Sequence, residues 1–298
     1  MLIKSSEELR ELTGSFYANA DFTRISHIVE TVQREVARII GQTTMTWLEG
    51  DGKDSDAADA CRTAIAYMAT LRYYRLNDIS HEDMGRKVKI DHENEARPFE
   101  WQLARDDRMH LEEYYRALDR LVFYLNDNEH FRATDICKHI DTLIVKDADC
   151  LTWLTGVDPS PWLFLRLVPN LAESQRFVEK AFGSVFDPED FPHFPDTDTM
   201  MYAAQKAVAL GAIALMGRRT SLQALPYGLM KLFESDGGGN RQEAAAIDRL
   251  DDYLKHLSSQ QHYWLNEMKT LRDESRDLEQ STHLQMPEND PHDKFMRL

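Results

Sequence analysis

Residues able to ligate an ion or move a proton gather in one stretch of the chain. His81-Glu82-Asp83 and Asp91-His92-Glu93-Asn94-Glu95 place imidazoles and carboxylates at both ends of a short alternating segment. Brought together across a hairpin, His81, Asp83, Asp91, His92 and Glu93 would suit a divalent ion, and a metal-dependent enzyme is the chemistry they would serve. The same charges also discourage a strand edge from pairing indiscriminately. That second reading is the stronger one, because no HExxH, ExxH or EF-hand spacing is present. No metal ligand and no cofactor is therefore expected.

The remaining candidates are weaker. Cys137 and His139 stand two apart in a short helical stretch, which turns them to different faces and suits neither a shared metal nor a nucleophile–base pair. The sequence contains no GxxxxGK[ST], GxGxxG or GxSxG, so phosphate-loop, dinucleotide and serine-hydrolase readings lack their backbone geometry. Gly237-Gly238-Gly239 follows Asp236 and is not followed by Lys-Ser/Thr, so it reads as a hinge rather than an anion cradle. Arg86, Lys87 and Lys89, and separately Arg218 and Arg219, read as local charge balance in an acidic chain. No catalytic residue is expected.

The elements that would position these residues are helical. Thirteen glycines and ten prolines among 298 residues are few, and both residue types interrupt helices. A hydrophobic share of 42% with 10% aromatics is enough for substantial cores. The net charge of −16 opposes broad adhesion to nucleic acid or anionic lipid. Three cysteines, Cys61, Cys137 and Cys150, make no disulfide framework and fit a reducing cytoplasm. The N-terminal residues are too polar for a signal peptide. The most apolar run, Met200 to Met216, is broken by Gln205 and Lys206 and reads as a core helix.

Ser5 and Glu8 form a capping box for a first short helix. Ile25, Ile28, Val29, Val32, Val36, Ile39 and Ile40 make one stripe on a helix from Phe22, with Gly41 as its terminator. Further helices are expected over 57–76 and 99–125. Between them Met84, Val88 and Ile90 alternate with Lys87, Lys89 and Asp91, as in one arm of a hairpin within 80–98. A short helix spans about 136–144, and Pro and Gly cluster near 155–161. Helices follow over 170–182, 198–216 and 241–273, with an extended piece at 222–232. The expected fold is mainly α: a helical bundle of two similar halves, each with a short extended segment. Residues 1–127 form the first unit, 128–160 a connector, 161–275 a second, diverged unit, and 276–298 a disordered tail. Most aromatics fall at helical core spacing, while Trp162 and Phe164, flanked by prolines, are expected to present a partner surface or a contact between the two halves.

One set of segments carries a family likeness. Leu2-Ile3 with Ser5, Glu7-Glu8-Leu9-Arg10, then Gly85 to Asp91, then Glu95-Ala96-Arg97-Pro98-Phe99-Glu100-Trp101-Gln102, and finally Tyr115 to Leu125 follow one another in order. Over about residues 1–127 this resembles an uncharacterised family of Bacteroides-type genomes and prophages, and in layout the head–tail connector (adaptor) proteins of tailed phages. The resemblance implies a non-enzymatic structural protein of virion assembly, a helical bundle with a protruding hairpin that assembles as a ring. Its partners would be further copies of itself and portal or neck proteins, with no specific nucleic-acid or membrane binding. Subunit contacts would fall on Arg86, Lys87, Val88, Lys89, Ile90 and Asp91. Connectors of this kind are usually about half as long, so their ring stoichiometry does not transfer. A cytosolic helical module that binds a protein partner through the second half is the remaining alternative.

Overall fold

The computed structural model describes residues 1–14, 21–77, 80–82, 85–87, 100–183, 197–222 and 239–282. The fold is mainly α. Among the described residues eleven helices are joined by one small antiparallel ribbon. They fall into two compact units. The first holds residues within Met1–Thr142, Asp158–Val168 and Phe233–Ala244; the second holds those within Leu143–Val157, Pro169–Leu232 and Ala245–Leu298.

The first unit begins with α1 (Ser6–Thr13). The Ser5 hydroxyl accepts the Glu8 N–H at 3.2 Å, and the Glu8 carboxylate accepts the N–H of Lys4 at 2.6 Å. The reciprocal cap thus reaches one residue further back than the sequence pattern implies. Gly14 closes the helix with φ +69°, a conformation that disfavours any side chain. Helix α2 (Thr23–Ile40) buries Ile25, Ile28, Val29, Val32, Val36 and Ile40, the expected stripe except for Ile39, which is half-buried. Gly41 turns the chain directly into α3 (Gln42–Glu49), at φ +89° with the Thr134 methyl 2.7 Å from where a Cβ would stand.

Helix α4 (Asp56–Asn77) is the centre of this unit, with α1, α2 and α5 (Glu100–Leu125) packed on it. Its alanines explain how one helix takes so many neighbours. Ala57, Ala58, Ala60, Ala64, Ala66 and Ala69 are buried and allow close approach, while Ile65, Met68 and Leu71 fill the remaining gaps. Two ion pairs tie its C-terminal half to neighbours: Arg72 forks onto Glu35 at 2.9 and 2.7 Å, and Arg75 meets Asp107 at 2.8 Å. Between α4 and α5 lie β1 (Ser80–Glu82) and β2 (Gly85–Lys87), antiparallel with Ser80 opposite Lys87 and His81 opposite Arg86.

The 128–160 segment, expected as a connector, holds three short helices: α6 (Glu129–Arg132), α7 (Asp135–Asp141) and α8 (Ala148–Thr155). Phe131, Cys137, Ile140, Leu151 and Leu154 from these helices are buried. Asn128 caps α6 by accepting from His130 and Phe131; Asp147 caps α8 by accepting from Cys150; Gly156 ends α8 at φ +73°.

Helix α9 (Pro161–Phe182) begins nine residues before the expected start at Asn170 and runs through Pro169. A helix-breaking proline is overridden because Trp162, Phe164, Leu165, Leu167, Val168 and Leu171 on both sides of it are buried. The division between the units falls at this proline.

In the second unit α10 (Thr197–Leu222) and α11 (Gly239–Thr282), the latter from Ala245 on, pack against the later part of α9. Leu210 and Ala214 meet Leu254 and Leu257, with Ile213 and Trp264 beside them. Gly217 leaves room for the Leu254 side chain, which lies 2.4 Å from the place of a Cβ. At Gly211 the Ser174 hydroxyl and the Gln261 amide sit 2.4 and 2.1 Å from that place, so three helices converge on one missing side chain. Thr199–Arg219 is long and apolar enough to cross a membrane, yet 61% of that window is buried within the protein, and it serves as a core helix here.

Candidate functional site

The sequence points first to the ribbon. His81 stands in β1 opposite Arg86 in β2, and Lys87 ends β2 opposite Ser80. Asp83, Met84, Val88, Lys89, Ile90, Asp91, His92 and Glu93 lie outside the described residues. Of the expected contact set, Arg86 and Lys87 are therefore placed on a strand three residues long, which falls between α4 and α5 in chain order. Among the described residues no three His, Cys, Asp or Glu side chains come together to hold a metal ion.

Trp162 and Phe164 require a correction. Both are buried, at 5% and 4% exposure, and present no surface to a partner. They open α9, whose start is fixed from α5. The Asp119 carboxylate accepts the Trp162 N–H at 3.0 Å and the Ser160 hydroxyl at 2.7 Å, while Ser160 Oγ accepts the Leu163 N–H at 3.1 Å. Pro161 at the first helical position has no N–H to satisfy. The prolines beside Trp162 thus mark a helix start, not an exposed loop.

The aromatics that do face solvent lie elsewhere. Trp153 on α8 is 81% exposed and Phe123 on α5 is 69% exposed. Helical spacing made both look like core residues. For Trp153 a signal existed: Asp147 and Gly156 bracket an eight-residue helix whose inner face is already supplied by Ala148, Leu151 and Leu154. Phe123 packs edge-on to Tyr124 with ring centroids 5.7 Å apart.

Tyr124 also borders an open depression of about 130 Å³ lined by Asp56, Asp59, Ala60, Thr63 and Arg120. The two aspartates belong to the first turn of α4, where Ser55 caps the Ala58 N–H at 3.2 Å and carboxylates offset the helix dipole. Asp59 is also paired with Arg62. This depression is explained by helix-end chemistry.

In the second unit, polar side chains hold backbone. Gln175 accepts the Ile144 N–H at 3.0 Å, and Gln205 donates to the Ile144 carbonyl at 3.0 Å, so one peptide segment is gripped on both sides. Lys206 donates to the Leu154 carbonyl at the end of α8 and lies over the rings of Tyr202 and Trp264, at 5.7 and 6.0 Å. Gln205 and Lys206, the two polar interruptions of the apolar run, are thus tethers for the segment before them.

Two nucleophile candidates are passive. Burial pushes the Cys61 thiol up to about 12, and burial also raises Cys137. His110 on α5 is a different case. It is 4% exposed, its Nδ1 lies 3.0 Å from the Asp106 carbonyl, and its Nε2 has no hydrogen-bond partner.

Comparison with protein-family models, with curated proteins and with solved structures yields no match. The fold and the placed residues therefore define the class on their own: a mainly α-helical protein of two compact units, with a short antiparallel ribbon among its described residues.

Proposed function

We propose that this chain is a non-enzymatic assembly protein, a head–tail connector-like subunit of a phage or prophage particle. Its partners are further copies of itself and a portal or neck protein, and it passes from the cytoplasm into the virion. The observation that carries this reading is the ribbon of β1 and β2 set between the long helices α4 and α5. A two-stranded ribbon of three residues per strand has little stability by itself in water. Addition of a strand from another chain gains main-chain hydrogen bonds at small cost. The likeness of residues 1–127 to connector proteins supports the same assignment. The net charge of −16 suits a conduit that must not grip DNA.

Two proline variants test it. Consecutive N–H groups in a strand point to opposite edges, so of Arg86→Pro and Lys87→Pro one removes an outward donor and the other breaks the ribbon's own ladder. Sedimentation velocity over a concentration series should show self-association of the parent chain, alone or with portal oligomer, that at least one variant abolishes. A chain that stays monomeric throughout, with and without portal, overturns the proposal.

A further inference from the structure

We propose that the depression between the start of α4 and the end of α5 is the docking site for the ribbon of a second copy of this chain, a contact that rests on the assembly reading and supplies its receiving surface. Asp56, Asp59, Ala60 and Thr63 come from the start of α4, and Arg120 and Tyr124 from the last turns of α5. Helix-end chemistry accounts for the carboxylates but not for the rim. Tyr124 is 44% exposed, and Phe123, edge-on to it, is more exposed still. Adjacent aromatics left in water beside a concave, charged surface are suited to a protein contact. Asp59 is paired with Arg62, whereas Asp56 has no ion pair among the described residues. Residues 51–59 set Asp51, Asp54, Asp56 and Asp59 against Lys53 alone, so the site is locally acidic.

The occupant follows from charge. At −16, two copies repel one another unless opposite charges meet at the contact. Lysines and arginines stand side by side at two places in the sequence, 86–87 and 218–219. The second pair is used within the fold: Arg218 donates to Ser258, and Arg219 to Asn170 and Glu173. The ribbon's register sorts the first pair. Lys87 opposite Ser80 and Glu82 opposite Gly85 share one face, while Arg86 opposite His81 belongs to the other. The first face thus carries a cation with a carboxylate two positions along. That matches a depression with aspartates on one helix and Arg120 on the other. Lys87 goes to the α4 carboxylates and Glu82 to Arg120, and the strand edges are not used by this contact.

A chain cannot seat its ribbon in its own depression. Ser80 follows the end of α4 by three residues and faces Lys87 across the ladder. The Lys87 backbone therefore lies within ~17 Å of Asn77. Along α4, Asp59 and Asp56 are ~27 and ~32 Å from Asn77. The ribbon thus stops ~10 Å short of its own site, and the occupant comes from another copy. Such a contact is heterologous, and its repetition makes a ring where the rotation closes.

Zero-length carbodiimide coupling, which joins a lysine amine to a carboxylate touching it, tests the site on a mixture of light and heavy-isotope-labelled full-length chain, with and without portal oligomer. A mixed-isotope peptide pair joining Lys87 to Asp56 or Asp59 is expected. Asp56→Asn and Phe123→Ser change exposed positions, so folding is spared, and each should weaken self-association about tenfold or more in sedimentation velocity. Unchanged association in either variant, or coupling between copies only at other positions, overturns the docking and leaves the connector reading standing. A chain never coupled between copies overturns the docking as well. Mixed pairs at Lys87 from a chain that ignores the portal oligomer uphold the docking and sink the connector reading.

Discussion

Removing the Asp119 carboxylate should loosen the start of α9 and nothing else. That carboxylate makes two hydrogen bonds in the structure, to the Trp162 N–H at 3.0 Å and to the Ser160 hydroxyl at 2.7 Å. Such bonds to a charged acceptor contribute ~1.5–3 kcal/mol each when buried, and less when water reaches the group. Asp119 is half-buried and Ser160 retains its own cap on Leu163, so Asp119→Ala should cost about 1.5 kcal/mol locally. Since 1.4 kcal/mol is tenfold in an equilibrium constant, the Trp162 and Leu163 amides should lose about tenfold in exchange protection. Asp119→Asn, which keeps an acceptor oxygen, should lose less. Native-state hydrogen exchange resolves these amides directly and avoids treating a two-unit chain as one cooperative transition. Unchanged protection at Trp162 and Leu163 in Asp119→Ala would refute the cross-helix cap, and with it the explanation of why Trp162 is buried.

Three further outcomes follow from particular contacts. Gly52→Ala places a Cβ 2.7 Å from Trp47 ring atoms, so the indole must leave its stack on His130; thermal stability should fall by ~1–3 kcal/mol and the His130 ring shifts should move, whereas wild-type shifts would contradict the packing. Gln175→Ala leaves the Ile144 N–H buried without an acceptor and should cost ~1–3 kcal/mol, more than Gln205→Ala, because an unpaired carbonyl is better tolerated than an unpaired N–H; equal effects would argue against the clamp. Alkylation at pH 8 followed by mass spectrometry should modify Cys150 first and leave Cys61, its thiol held up to about 12 by burial, intact until the chain unfolds; early Cys61 labelling would show that α4 opens locally.

Much of the helical layout was legible because it depends on local periodicity. The stripe Ile25 to Ile40 predicts α2 within one residue, and the helix expected over 57–76 matches α4 to within one residue at each end. The failures are equally physical. The expected helix over 170–182 starts nine residues late, because apolar burial on both sides of Pro169 carries α9 through it. Caps at Asn128 and Asp147 announce α6 and α8, but helices of four and eight residues have too little periodicity to stand out from a Pro/Gly-containing segment. Trp162 and Phe164 show the limit of reading surface from proline flanks, since the same residues equally start a helix. The special position of His110 was not legible at all. It comes from α4 packing on α5, which sets Tyr67 and Tyr74 beside a ring some forty residues away in sequence.

We propose that the chain assembles with other chains through the β1–β2 ribbon. Electron microscopy of the purified chain incubated with the portal oligomer encoded in the same genome tests it most directly. Ring-shaped density stacked on the portal is expected, lost in a proline variant of Arg86 or Lys87. Bare portal particles beside free monomer, under conditions where both proteins are folded, would contradict it.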